Sequence, residues 1–75
     1  MDEYSRIIIE DYCVKYKTDP RFQKLSKLVK RLYKLDAEYT SDAEANFVFD
    51  FIEHCADEEL RKALIDLDEF LIGYY

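Results

Sequence analysis

Apolar positions recur along most of this chain at helical rather than strand spacing. The clearest stretch begins at Phe22, where Phe22, Leu25, Leu28, Val29, Leu32, Tyr33 and Leu35 share one stripe. At 100° per residue the stripe is roughly 160° wide, which suits a helix resting on a core. Its opposite face is basic, with Lys24, Lys27, Lys30, Arg31 and Lys34, and no acidic residue lies between Arg21 and Leu35. The preceding Thr18-Asp19-Pro20 reads as a break, an aspartate N-cap and a proline at the first helical position.

Two further helices follow by the same reasoning. Ser41-Asp42-Ala43-Glu44 has the form of a capping box. The helix it opens runs to about Ala56, with an apolar arc of Ala45, Phe47, Val48, Phe49, Phe51, Ile52 and Cys55. Its polar face carries Asp42, Asn46, Asp50, Glu53 and His54, as acidic as the face of the preceding helix is basic. Asp57 can close this helix and cap the next. There Leu60, Ala63, Leu64, Leu67, Phe70, Leu71 and Tyr74 keep helical spacing over about 58–72, and Gly73 is a plausible stop.

The first segment, 2–17, is ambiguous by pattern. Asp2 and Glu3 suit a helix start, and Tyr4, Ile8, Ile9, Tyr12 and Tyr16 share a broad helical arc, while Ile7 and Val14 fall elsewhere. The β-branched run Ile7-Ile8-Ile9 keeps a strand open as the alternative. Short links between the remaining segments make sequential helices antiparallel. The expectation is one all-α domain over residues 1–75, a small three- or four-helix bundle.

Composition agrees with this and narrows the setting. One Gly and one Pro in 75 residues leave helices unbroken, and 49% hydrophobic residues are too many for a disordered tail. A chain this short buries only about 60% of its unfolded surface, so its core is marginal and a staple, a metal or a partner would add stability. Cys13 and Cys55 do not make a disulfide framework. Met1-Asp2-Glu3 is acidic where a secretory leader is basic, and the longest apolar run is far short of a membrane span. A cytoplasmic location with reduced thiols is expected.

Catalytic constellations are thin. There is one histidine, His54, and no phosphate-binding glycine loop, nucleophile elbow or paired-cysteine zinc spacing. A Cys13–His54 couple is formally conceivable, but buried cysteines more often act as small hydrophobes. Asp50, His54 and Asp57 stand at i, i+4 and i+7, a spacing that could hold a divalent cation, although solvated acidic faces carry the same pattern far more often. Neither an enzyme, a metal nor a cofactor is expected.

Charge and surplus apolar surface point instead to binding. The net charge is -6 and the sequence pI about 4.6, which disfavours a general nucleic-acid binder and suits a basic protein or a nucleic-acid-handling complex as partner. The apolar arc of the 42–56 helix is broad enough to leave Phe47 or Phe49 partly exposed beside Asp42, Asp50 and Glu53, the make-up of a binding hot spot. On the last helix Ile65 and Ile72, one heptad apart and nearly opposite the leucine stripe, suggest an interface with a partner or a second copy.

The stretch Lys17-Thr18-Asp19-Pro20-Arg21-Phe22 with the helix after it resembles a helix start in the small helical-bundle bacteriocin immunity proteins. That resemblance covers about one turn and one helix, and the net acidity departs from those proteins, which tend to be basic. The expected function is therefore drawn from charge and pattern: a small, acidic, non-enzymatic protein-binding module of antitoxin, immunity or phage anti-defence type. The alternatives are a helical nucleic-acid-associated regulator using Lys24, Lys27, Lys30, Arg31 and Lys34, and a structural subunit assembling through the last helix.

Overall fold

A computed structural model of the chain describes residues 2–35 and 42–72, with side chains over 2–32 and 42–70. The described residues form four helices and no strand: α1 (Glu3–Lys15), α2 (Pro20–Leu35), α3 (Asp42–Glu53) and α4 (Glu58–Ile72). The three- or four-helix expectation thus resolves to four, and the Ile7–Ile9 run is helical. Burial settles that run: Ile8 and Ile9 both reach the core, whereas strand geometry would send them to opposite faces.

The helix starts are built as their sequences require. In α1 the Asp2 carboxylate accepts the Tyr4 N–H at 3.2 Å. In α2 the Asp19 carboxylate accepts the Arg21 N–H at 2.9 Å, ahead of Pro20, whose missing N–H costs nothing at that position. In α4 the Asp57 carboxylate accepts the Leu60 N–H at 3.0 Å. Ser41, the first residue of the expected capping box, lies outside the described residues. The Glu44 carboxylate meets Arg31 of α2. α3 ends at Glu53, three residues before the expected Ala56, because the backbone turns at His54 and leaves helical form through 55–57 to reach the Asp57 cap.

α1 packs on α2 and on α4, and α3 packs on α4. α2 and α3 meet through side chains, with Phe22 on Phe51, Lys24 over Phe47 and Arg31 on Glu44. These pairings run in opposite chain directions, so α2 and α3 are antiparallel. So are α1 and α4, joined near one end by the Asp2 N–H to Asp66 at 2.9 Å and at the other by Tyr12 to Asp57. The result is a closed ring of four helices. Its radius of gyration, 11.3 Å, is that of a compact chain of this length.

One hydrophobic cluster fills the centre. Ile9, Leu25, Val29, Val48, Leu64 and Leu67 are its most deeply buried members, and every helix contributes. All the α2 stripe residues with described side chains are buried. The expected α1 arc is corrected: Tyr4 and Tyr16 are exposed, and Ser5 and Cys13 take core positions instead. An aromatic row crosses the ring near the end where α1, α2 and α3 converge. Tyr12 stacks on Tyr16 (6.2 Å between ring centroids), Tyr16 tilts onto Phe22 (4.9 Å), and Phe22 and Phe47 each meet Phe51 edge-on (5.1 and 5.3 Å). Such edge and offset contacts add about 0.5–1.5 kcal/mol each beyond area burial.

Candidate protein-binding surfaces

Helix phase decides which α3 residues face outward. Val48 and Phe51 are the fully buried pair, with Phe47 and Ile52 half-buried beside them. On the far side Asp42, Asn46, Phe49, Asp50 and Glu53 fall within roughly 100° of helix circumference at 100° per residue. All five are exposed, Phe49 by 57%. A phenylalanine set into an acidic face has no role in the core. Phe47, at the other margin of the arc, packs against Phe51 and lies under the Lys24 ammonium at 4.5 Å, so it serves the α2–α3 seam.

The charges divide sharply by region. Residues 15–35 hold eight cations against one carboxylate, a net +7, and the rest of the chain holds three cations against sixteen carboxylates, a net -13. Within the basic part, Arg31 is engaged with Glu44, Lys24 with Phe47 and Arg21 with Phe51, so three of the six α2 cations are turned toward α3. Lys27 and Lys30, with Lys17 of the preceding turn, line a groove of about 510 Å³ between α1 and α2. The Lys34 side chain lies outside the described residues.

Other candidates are rearranged by the fold. Asp57 does not join Asp50 and His54 on one face: it lies beyond the end of α3, capping α4 and accepting a hydrogen bond from Tyr12. Glu53 takes its place, and its carboxylate, that of Asp50 and the His54 ring lie within 4.8 Å of one another, all exposed. His54 Nδ1 stands 3.3 Å from the Asp50 carboxylate and 3.0 Å from the Asp50 carbonyl.

Cys13 opens on the α1–α2 groove and His54 on a different one, where α3 turns into α4, so the two do not form a couple. Burial pushes the Cys13 thiol up to about 11. Cys55 is buried and its thiol donates to the Asp57 carbonyl at 3.2 Å. Ile65 is 39% exposed on the outer side of α4, while the Ile72 side chain lies outside the described residues, so the expected Ile65–Ile72 patch is seen only at Ile65.

The Tyr12–Asp57 contact joins α1 to the α3–α4 turn. The Tyr12 hydroxyl donates to the Asp57 carboxylate, which also accepts from the Leu60 N–H. Both bonds favour the charged carboxylate and hold Asp57 below its usual range, while the same bond, aided by burial, pushes Tyr12 up to about 12. The sequence gives no hint of this pair, since 45 positions separate its members.

No helix among the described residues is long and apolar enough to cross a membrane. Compared with protein-family models, curated proteins and solved structures, the chain shows no match.

Proposed function

We propose that this protein is a non-enzymatic protein-binding module, an inhibitor of antitoxin, immunity or phage anti-defence type, that occupies a basic surface on a macromolecular target in the cytoplasm. The observation that carries this reading is Phe49, 57% exposed within the acidic outer face of α3. Long-range attraction comes from the carboxylates, which steer a basic partner and raise its association rate. Short-range affinity comes from the ring, because aromatic anchors surrounded by polar rims carry a large share of binding energy and slow dissociation. Asp42, Asp50 and Glu53 provide the rim. Ile65 of α4 is an auxiliary apolar contact.

A second reading, a nucleic-acid-associated regulator, draws on the net +7 of residues 15–35. Three of the six α2 cations already serve the α2–α3 seam, and the -13 of the remaining chain would repel a phosphate backbone, so the acidic reading is preferred.

The test begins by isolating the target from the native host and identifying it by mass spectrometry, then compares charge reversals in one binding assay. Asp50→Lys with Glu53→Lys should weaken binding at least tenfold, about 1.4 kcal/mol. Phe49→Ala should act mainly by speeding dissociation. Lys27→Glu with Arg31→Glu should matter much less. The reverse ranking, with a steep log–log salt dependence on DNA or RNA, would move the site to α2.

A further inference from the structure

α1 carries an apolar stripe that the core does not use. Ser5, Ile8, Ile9 and Cys13 face the core, whereas Tyr4, Ile7 and Val14 point away from it, exposed by 63%, 46% and 72%. With Asp11 they lie within roughly 80° of helix circumference at 100° per residue, at the i, i+3, i+7, i+10 spacing of a helix–helix seam. α2 and α4 flank α1 and leave this side uncovered. Three large apolar side chains on one exposed helix face, with Asp11 set between Ile7 and Val14, mark a contact site on so small a protein.

The charges beside the row select its occupant. Its Tyr4 end is acidic on balance: Asp2 and Glu3 sit there, and Tyr4 shares a groove with Glu58 and Glu59 of α4, which outnumber Lys62. Its Val14 end is basic on balance: Lys15 and Lys17 follow in the chain, and Val14 borders a groove where Lys17, Lys27 and Lys30 outnumber Glu10. We propose that the stripe is the seam of a homodimer, in which α1 packs against α1 of a second copy running in the opposite direction. A two-fold axis near Ile9 and Glu10 sets Tyr4 against the Val14 of the partner and brings each acidic end to a basic end, twice over. A parallel arrangement would oppose acid to acid and base to base. The seam is one face of one helix, so the interface is small and the dimer weak and concentration-dependent. It leaves the acidic face of α3 open, since α1 and α3 are opposite members of the ring.

Sedimentation equilibrium of the full chain from micromolar to millimolar concentration should show a monomer–dimer equilibrium. Ile7→Lys with Val14→Lys should raise the dissociation constant about tenfold or more without changing the helical circular dichroism, while Ile65→Lys leaves it unchanged. Charge exchange tests the direction of packing independently of those two side chains. Glu3→Lys alone should weaken the dimer, and Glu3→Lys with Lys15→Glu should restore it. A purely structural effect would not be rescued, because both changes oppose the α1 dipole. A protein monomeric at every concentration, a dimer indifferent to the α1 lysines, or failure of the paired exchange to restore association would overturn the proposal.

Discussion

α1 and α2 lie side by side and have similar lengths, yet they use their apolar residues differently. α2 commits its described stripe, Phe22, Leu25, Leu28, Val29 and Leu32, to the core and gives its other side to lysine and arginine. α1 divides its apolar residues between two faces, Ile8, Ile9 and Cys13 inward and Tyr4, Ile7 and Val14 outward. The outward set contributes less to folding, because side chains left largely in water gain only part of the burial free energy. α2 is thus a fold-forming helix with a solvated back, and α1 is a fold-forming helix with surface to spare. α3 shows the same surplus in miniature, in one residue, Phe49.

That contrast can be broken most forcefully in the core. Ile9→Ala in α1 and Leu25→Ala in α2, both fully buried, should each lower stability by about 2–5 kcal/mol, read as a drop in the urea midpoint at unchanged slope. In a domain this small either loss takes most of the margin. If Ile9→Ala were mild while Leu25→Ala was severe, α1 would be an appendage to the bundle and not one wall of it.

A smaller effect is expected where α1 is tied to the α3–α4 turn. Asp57→Ala removes both the α4 cap and the acceptor of the Tyr12 hydroxyl, and should lower Tm by several degrees, less than either core change. Because the folded state holds Asp57 below its usual range, the stability it provides is fully present above the ordinary carboxylate value and is lost as pH falls through the lower folded value. Tyr12 has the opposite sign. Its contribution is fully present below the ordinary tyrosine value of about 10 and is lost as pH rises through about 12. Tyr12→Phe should therefore flatten the alkaline limb of a stability–pH curve while the α4 cap survives. An unchanged alkaline limb would show that the bond does not persist in solution.

Thiol chemistry gives a finer reading of the same wall. Cys13, buried and pushed up to about 11, and Cys55, buried under the α3–α4 turn, should both react slowly with a thiol reagent at neutral pH and quickly after denaturation. Faster labelling of Cys13 than of Cys55 would show that the α1–α2 seam opens first. The smallest effect belongs to the outward face. Val14→Ala should change monomer stability by no more than about 0.5 kcal/mol, and a larger loss would mean that the stripe serves the fold after all.

Much of this could be read from residue order alone. The α2 stripe, the Asp19-Pro20 start, the Asp57 cap and the leucine row of α4 are local features, each fixed by spacing within one or two turns, and among the described side chains the structure has them where the pattern put them. The site was less legible. Exposure of one α3 phenylalanine followed from an arc too wide to bury, but which one did not, because Phe47 and Phe49 sit at equivalent margins. The α2 neighbour decided it by bringing Phe51 and Lys24 to Phe47.

In α1 the helix arc counted Tyr4 and Tyr16 with the core, and the packing turned both outward while taking in Cys13. Periodicity fixes the angle between side chains on a helix but not the direction in which the helix is rotated, and that direction is set by the helices packed on either side. By itself the sequence determined the helical class, three of the helix starts and the opposition of basic and acidic surfaces, since all are local or additive properties. The tertiary structure alone decided the Tyr12–Asp57 tie, the replacement of Asp57 by Glu53 beside His54, and the outward turn of Tyr4 and Tyr16. Each depends on which residues distant in the chain, or beyond the end of a helix, come to lie together in space.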